Sequence, residues 1–343
     1  MGLSKLKAIC DILREELQKG IFTIGSRFPS EYELAERFSV NKTTANKAVG
    51  LLVNEGYLER GISGAGTRVK THLIFPKGEL LYLTLIGEPF YTSLLHGAQH
   101  AAYLRGYLMN YLMVPPSGLE HCFELLSHSK IAGMLTSCYG CIQASLPFPV
   151  IHVDQLYQNN EVRTVNCDYY GGGKMIGEEI IRKGHREVVY LSEDPLPLHM
   201  SERRRGVFDV LTAAGIHNLE ERLFVLDTAP SSFSRGETLK EILKRFPSLS
   251  IFICDTDHIA LTVWHHLQEF GLAPQHFSFT GYGNVQPIQL SVPITTIDQH
   301  PVAMGKCASE YLINLIEGKK CPKNSFTINV EFIDNGSVHS VSS

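Results

Sequence analysis

The chain has 343 residues, which is long enough for about two or three domains, and 44% hydrophobic with 19% charged residues is typical of a globular protein. This composition excludes a disordered, collagen-like or coiled-coil chain. No apolar run approaches the ~20 residues of a membrane span, and the N-terminus carries no secretory signal. Eight scattered cysteines suit reduced thiols better than disulfides. We therefore expect a cytoplasmic protein that does not associate with a membrane.

The net charge of −4 hides an asymmetry along the chain. Residues 1–77 contain 12 Lys and Arg against 8 Asp and Glu, whereas the remainder contains 19 against 27. A basic head on an acidic body is typical of a polyanion-binding module joined to something else, although chance produces differences of this size as well.

The N-terminal region predicts helices in close succession. Apolar residues at alternating steps of four and three indicate an amphipathic helix over residues 4–18. Ser30 and Glu33 have the spacing of a capping box at the start of a short second helix. A third helix follows after a short turn and ends at Gly56, and such a pair of helices matches a helix-turn-helix.

The outer face of the third helix carries side chains that suit DNA. Cations can neutralise phosphates and an amide can pair with adenine; the side chains are Lys42, Thr43, Asn46 and Lys47. Residues 57–69 predict two short strands around a glycine-rich tip, a β-hairpin wing flanked by Arg60 and Arg68. Each signal alone also fits an ordinary solvated surface, but their order favours a winged helix-turn-helix.

Residues 4–70 resemble the winged helix-turn-helix domain of GntR-type regulators. The matching stretches are FPSEYELAERF, SVNKTTANKAVGLLVNEGYLER and GAGTRV. The resemblance implies a homodimer that reads a palindromic operator in double-stranded DNA. The expected contacts are Ser30, Tyr32, Lys42, Thr43, Thr44, Asn46, Lys47, Arg60, Gly64 and Gly66.

Two of these positions depart from the family pattern. Tyr32 and Asn46 stand where the family often has arginine. Guanine readout by arginine, worth about 1–3 kcal/mol per bidentate pair, is therefore missing there. We expect a changed base preference, with adenine opposite Asn46.

Beyond a linker at residues 71–79, which contains Pro76, apolar runs alternate with helical segments. The runs LLYLTLI, YLMNYLM, IAGMLT, PVIHV, EVVYLS, SIFIC and FSFTG predict strands that are apolar on both faces. This pattern predicts an α/β fold with parallel sheets. The length of this part favours two lobes, with a ligand cleft beyond the carboxyl ends of the strands.

The body resembles the effector domain of LacI/GalR-type repressors, which is similar to periplasmic sugar-binding proteins. The stretches that carry the resemblance are EEIIRKGHREVVYLS, SERRRGVFDVL, CDTDHIAL, FTGYGNVQ and PITTIDQHPVAMGKCASEYL. Together with a GntR-type head, it resembles the arabinose-repressor architecture. The domains expected are a head at 1–70 and a body at 80–343, with one lobe at about 80–166 and 298–325 and the other at about 167–297 and 326–336.

Sugar sites combine planar polar groups for hydroxyls with an aromatic face for the ring. The resemblance assigns effector contacts to Phe90, Tyr91, Asp154, His199, Arg203, Thr256, Asp257 and Gln299. The two adjacent aromatic residues fit an ordinary core equally well, Asp257 also fits a helix cap, and Arg203 also fits a surface cation.

Gly283 stands where the family usually has a carboxylate that accepts hydrogen bonds from vicinal hydroxyls. We expect one of two consequences. Either Asn284 or Asp257 substitutes for it, or the effector is an anion such as a sugar phosphate or uronate, because Arg203 would otherwise face no carboxylate.

Three patterns resemble chemical motifs without predicting chemistry. Cys138 and Cys141 lack a second pair for zinc, residues 171–174 lack the spacing of a P-loop, and His96 and His100 lack a third metal ligand. We expect no catalysis, no cofactor and no metal. The sequence predicts a repressor of carbohydrate-related genes controlled by a sugar-like effector. The alternative is a carbohydrate sensor or enzyme whose head only dimerises.

Overall fold

The computed structural model describes residues 2–61, 66–71, 76–84, 87–138, 146–157, 161–193, 198–226 and 232–341. The chain forms two compact units, Met1–Lys77 and Gly78–Ser343, which we call the head and the body. Among the described residues, no helix combines the length and the apolar character needed to cross a membrane.

The head contains helices followed by a short hairpin. Its elements are α1 Gly2–Gln18, α2 Glu31–Arg37, α3 Lys42–Asn54, β1 Leu58–Arg60 and β2 Thr67–Val69. The two strands are antiparallel, and the backbone N–H of Gly61 donates to the carbonyl of Gly66 at 2.7 Å. One core joins the helices to the hairpin through Leu13, Leu17, Phe28, Leu34, Val49, Leu52 and Val69. The predicted winged helix-turn-helix is confirmed.

Two side-chain caps fix the turn between α2 and α3. The Ser30 hydroxyl accepts from the backbone N–H of Glu33 at 3.3 Å, and the Glu33 carboxylate accepts from the N–H of Ser30 at 2.6 Å. Asn41 Oδ1 accepts from the backbone N–H and from the hydroxyl of Thr44, both at 2.8 Å. These bonds satisfy backbone donors that would otherwise be unpaired, so the starts of both helices are fixed.

The body alternates strands with helices. In chain order its elements are β3 Glu79–Thr84, α4 Pro89–Leu104, β4 Leu108–Met113, α5 Leu119–Ser127, β5 Gly133–Thr136, β6 Val150–Val153, β7 Thr164–Cys167, α6 Tyr169–Arg182, β8 Val188–Glu193, α7 Leu198–Ala213, β9 Leu223–Leu226, α8 Ser232–Arg245, β10 Ile251–Cys254, α9 Asp257–Glu269, β11 Ser278–Thr280, α10 Gln286–Ser291, β12 Thr296–Asp298, α11 Pro301–Ile316, β13 Ser325–Ile328 and β14 Glu331–Ile333.

Two parallel sheets organise the body, which confirms the predicted α/β class. The first sheet has the order β13-β7-β6-β5-β3-β4 and the second the order β11-β10-β8-β9, while β12 and β14 form an antiparallel pair. The strand β13 pairs with β7, so residues 326–328 belong to the first sheet. The sequence analysis had placed residues 298–325 in the first lobe and residues 326–336 in the second, so its boundary falls inside β13.

The sequence predicted that β4 is buried on both faces, and the structure differs from this prediction. The strand lies at the edge of the first sheet, and most of its side chains are exposed, including Leu108 at 50% and Met113 at 54%. Its apolar sequence therefore forms a surface rather than a core, and the expectation is wrong at this strand.

Helices α6 and α7 pack unusually closely because of two glycines. A Cβ on Gly173 would lie 2.1 Å from the carbonyl oxygen of Arg203, and a Cβ on Gly206 would lie 2.2 Å from that of Tyr170. No side chain fits in either place. This contact sets Arg203 close to the start of α6, where the polar cluster described next is built.

Candidate functional site

The outer face of α3 holds many of the DNA contacts expected from the sequence. Lys42, Thr43, Asn46 and Lys47 are exposed, and Thr44 is half-buried. The hydroxyls of Ser30 and Thr44 both take part in the caps that begin α2 and α3. Gly66 lies at the base of the wing with a φ of 78°, whereas Gly64 lies outside the described residues.

Tyr32 and Asn46, which stand where the family often has arginine, each contact a positively charged side chain. The Lys42 ammonium lies 3.8 Å from the ring centroid of Tyr32, whose side chain is 68% exposed. Arg60, at the end of β1, donates from Nη2 to Oδ1 of Asn46 at 2.7 Å. The face therefore keeps its positive charge, with a lysine and an arginine held by their uncharged neighbours.

In the body, a buried carboxylate lies at the carboxyl end of β6. Asp154 is 3% exposed, and its Oδ1 accepts from the Tyr169 hydroxyl at 2.6 Å and from Nε2 of Gln299 at 3.4 Å. Its Oδ2 accepts from the Tyr91 hydroxyl at 3.3 Å. Burial raises the pKa of Asp154, while the charge of Arg203 and these hydrogen bonds act in the opposite direction.

Arg203 faces this carboxylate from α7. The side chain is 4% exposed, and its guanidinium lies 4.1 Å from the ring centroid of Tyr282 and 5.4 Å from that of Tyr169. Nη1 donates to the backbone carbonyl of Asp255 at 3.1 Å. Among the described residues, Nε has no hydrogen-bond partner although it is buried. Such a donor requires an acceptor, which a ligand or water can provide.

These contacts correct two expectations about Arg203. It is buried, so the surface-cation alternative is wrong. Burial lowers the pKa of Arg203, while the charges of neighbouring groups, Asp154 among them, raise it, so a carboxylate acts on this guanidinium even without one at Gly283. The sequence argument had named Asp154 as an effector contact but had not placed it near Arg203.

Thr256 and Asp257 serve local structure. The Thr256 hydroxyl accepts from the backbone N–H of Ile259 at 3.2 Å, so Thr256 rather than Asp257 caps α9. The Asp257 carboxylate accepts from the Thr296 hydroxyl at 2.6 Å, the Val285 N–H at 2.8 Å and Gln289 Nε2 at 3.2 Å. These donors occupy both carboxylate oxygens.

Nδ2 of Asn284 donates to Oδ2 of Asp298 at 3.0 Å. Gly283 has a φ of 126°, a conformation that favours glycine, and a Cβ there would lie 4.0 Å from Oδ2 of Asp257 and from Oε1 of Gln299. Of the two substitutes proposed for the missing carboxylate, Asp257 already accepts three hydrogen bonds, whereas the bond of Asn284 uses only an N–H of its amide.

The remaining expected contacts divide into two groups. His199 is buried with its ring 5.2 Å from that of Tyr169, and burial together with Arg203 keeps the pKa of His199 well below its usual value. Phe90 is half-buried and packs on the first core with its edge against Tyr91, which fits the core alternative. Tyr91, Asp154, His199, Arg203 and Gln299 thus converge around Tyr169, whereas Thr256 and Asp257 stand in a separate network.

Sequence reasoning missed Asp255, Tyr169 and Tyr282. Asp255 is 1% exposed and accepts from the hydroxyls of Tyr190 and Ser192, and its burial raises its pKa to about 6. It directly follows β10, and that position beyond a parallel strand was an available signal. Tyr169 follows β7, a strand that the sequence analysis did not identify.

Comparison with known proteins assigns both units. Residues 79–335 match the family model for periplasmic binding proteins and the sugar-binding domain of the LacI family. The chain belongs to this family. Residues 5–69 match the model for bacterial regulatory proteins of the gntR family, so this LacI-family protein carries a GntR-type head. The resemblance drawn from the sequence is confirmed, and the protein is a DNA-binding transcriptional regulator with a body of the sugar-binding type.

Relatives of this LacI-family chain are regulators as well. It is 23% identical to the arabinose metabolism transcriptional repressor of Halalkalibacterium halodurans, over 90% of this chain and 88% of that one. It is 24% identical to the HTH-type transcriptional repressor PurR of Aliivibrio salmonicida, over 74% and 78% of the two chains. A LacI family regulator from Enterococcus faecium, solved with bound ribose, shares the fold at a TM-score of 0.67 and 20% identity, over 77% of this chain and all of that one.

Proposed function

We propose that the protein is a homodimeric repressor of carbohydrate-related genes. A neutral sugar-like effector controls the affinity of this repressor for a palindromic operator. The protein acts in the cytoplasm as a binding protein and not as an enzyme. The observation that carries the proposal is the buried Asp154 carboxylate at the carboxyl end of β6, which accepts from Tyr91, Tyr169 and Gln299, together with the buried Nε of Arg203, which has no hydrogen-bond partner among the described residues. The arabinose metabolism repressor matches nearly the whole chain and supports the carbohydrate class.

The hydrogen bonds of Asp154 suit exchange with ligand hydroxyls. The bond from Tyr169 is short at 2.6 Å, whereas those from Tyr91 and Gln299 are long at 3.3 and 3.4 Å. Weak, long bonds are the ones that an incoming donor replaces at least cost. A sugar hydroxyl that donates to Asp154 and accepts from Nε of Arg203 satisfies both groups.

An exposed apolar patch supports the homodimer. It consists of the end of α4 and the edge strand β4, with the side chains Tyr103, Leu104, Leu108, Tyr111, Leu112 and Met113. Exposed apolar side chains concentrated on an edge strand and the neighbouring helix end are typical of a protein interface. A second copy of the chain suits it because a dimer presents two heads to two operator half-sites.

The dimer is tested by light scattering on variants of exposed leucines. Leu104→Asp places a charge in the patch and is expected to give monomers. Leu290→Asp, at an 85% exposed leucine on α10, is the matched control and should remain dimeric. If Leu104→Asp is as dimeric as the control, the patch is not the interface.

The regulatory function is tested by fluorescence anisotropy on DNA from upstream of the protein's own gene. We expect binding that weakens steeply with salt, because Lys42, Lys47, Arg60 and Arg68 displace phosphate counterions. A matching neutral sugar should shift the affinity about 5- to 150-fold, the usual size of allosteric coupling. Asp154→Asn should remove this shift while leaving DNA binding in place. Absence of DNA binding, or turnover of a carbohydrate, would favour the sensor or enzyme alternative.

A further inference from the structure

The guanidinium of Arg60 lies at the outer face of α3, although Arg60 belongs to β1 and not to α3. Arg60 is the last residue of β1, and its Nη2 lies 2.7 Å from Oδ1 of Asn46 in the middle of α3. Both side chains are exposed on the same surface as Thr43 and Lys47. An arginine is thus present beside the very position where the family often has one.

The backbone around Arg60 is well fixed. Arg60 pairs with Thr67 in the hairpin, and the next residue, Gly61, closes the wing by donating to the carbonyl of Gly66. Leu58, two positions before Arg60, is buried in the head core. The side chain is therefore anchored at its base by the hairpin and at its tip by Asn46, so less freedom remains to be lost on binding.

The chemistry of the pair favours one base. With one lone pair of Asn46 Oδ1 accepting from Arg60, the pair presents mainly donors, which are the remaining guanidinium N–H groups and the Nδ2–H₂ group of the amide. In the major groove guanine offers two acceptors, N7 and O6, whereas adenine offers the N7 acceptor beside the N6 donor. A bidentate read of adenine by Asn46 needs Oδ1 to accept from N6, so the adenine N6 has to share this oxygen with the guanidinium of Arg60.

We propose that Arg60 reads a guanine in each operator half-site and that Asn46 is its positioning residue. The inference rests on the proposed function, since it concerns the bases read by the head. It replaces the expectation of adenine opposite Asn46 and restores guanine readout through a side chain from the wing. The specificity of the head would thus be set by the contact between α3 and β1 and not by α3 alone.

The test is selection of binding sites from random double-stranded DNA by the full chain, followed by affinity measurements on the selected site and on its guanine-to-adenine variants. Arg60→Lys keeps the charge but lacks the planar fork. We expect it to lower the guanine-over-adenine ratio at one position about 5- to 150-fold, the size of a bidentate pair. Its affinity for random DNA should stay within about twofold, because the number of neutralised phosphates is unchanged.

Two further variants separate positioning from direct reading. Asn46→Ala should lower the same ratio about 2- to 12-fold, which is the cost of ordering one mobile side chain. In the Arg60→Lys background it should change nothing more, because its effect passes through Arg60. Arg68→Lys is the matched control: this exposed arginine lies on the partner strand, donates to the carbonyl of Gly25, and should keep the base preference of the wild type.

Three results would overturn the inference. A guanine preference retained in Arg60→Lys excludes Arg60 as the reader. An adenine preference that Asn46→Ala removes in the Arg60→Lys background shows that Asn46 reads adenine by itself. If the wild-type protein selects no sequence at all, the proposed function fails as well, and that outcome is distinct from the other two.

Discussion

The buried Asp255 makes the stability of the body depend on pH in a defined direction. Burial raises the pKa of Asp255 to about 6 from its usual value near 3.8. Between these values the folded protein holds a proton that the unfolded chain has released, so the free energy of unfolding falls as the pH rises. At 1.36 kcal/mol per pH unit, the loss on going from below pH 3.8 to above pH 6 is about 3 kcal/mol.

Urea unfolding at pH 4 and pH 7.5 measures this loss, with wild type compared to Asp255→Asn. The only tryptophan of the sequence, Trp264 in α9, packs on Phe279 beside the strand that leads to Asp255, so its fluorescence reports the relevant lobe. Asparagine does not ionise, so the stability gap between the two proteins should shift by about 2.4 kcal/mol between the two pH values, because at pH 4 the unfolded carboxyl is already partly ionised. Other titrating groups contribute to both proteins alike and cancel in the comparison.

A second variant tests the direction in which ionisation of Asp255 changes the stability. The Tyr190 hydroxyl donates to Asp255 and favours its ionised form, so Tyr190→Phe should raise the pKa of Asp255 further and enlarge the loss of stability at pH 7.5. The reasoning is refuted if Asp255→Asn has the same pH dependence as wild type, or if Tyr190→Phe reduces the loss.

Three substitutions in other parts of the chain test the packing and the caps. Gly173→Ala puts a Cβ 2.1 Å from a backbone carbonyl and should lower the stability of the body by about 1–3 kcal/mol in urea unfolding; an unchanged midpoint would contradict the close contact of α6 and α7. Gly50→Ala, inside α3 with nothing within 4 Å of the added Cβ, should raise the free energy of unfolding of the head by about 0.5–1 kcal/mol, measured by circular dichroism. Ser30→Ala removes the cap of α2 and should lower it by about 1 kcal/mol, so equal thermal midpoints would show that the cap is dispensable.

The head was predictable because its signals are local. The capping box at Ser30 and Glu33 and the inward spacing of Ala45, Val49 and Leu52 depend on residues a few positions apart, and all of them are confirmed. The strand β4 was misjudged for the opposite reason: an apolar run predicts a strand, but only the sheet order shows whether that strand lies in the centre or at an edge.

The effector site was only partly predictable, because burial and pairing depend on contacts between distant segments. Asp154 and Arg203 were expected from the family resemblance, yet their mutual attraction depends on helices that approach through Gly173 and Gly206. Asp257 has the residue type of a sugar ligand, but its three hydrogen-bond donors come from 28 to 39 residues away and commit it to structure.

The charge balance of the cluster bears on which effector it can accept. Asp154 follows a strand of the first sheet, whereas Arg203 lies on α7, which packs against β8 and β10 of the second. An anion next to Arg203 would also lie near the Asp154 carboxylate, and this repulsion offsets the attraction. A neutral hydroxyl pair avoids that conflict, because it can donate to Asp154 and accept from Arg203 together. Such a ligand contacts residues supported by both sheets, so it binds most tightly to the arrangement of the two lobes in which these residues lie closest together. The difference in ligand affinity between this arrangement and others is what can change the affinity of the heads for DNA.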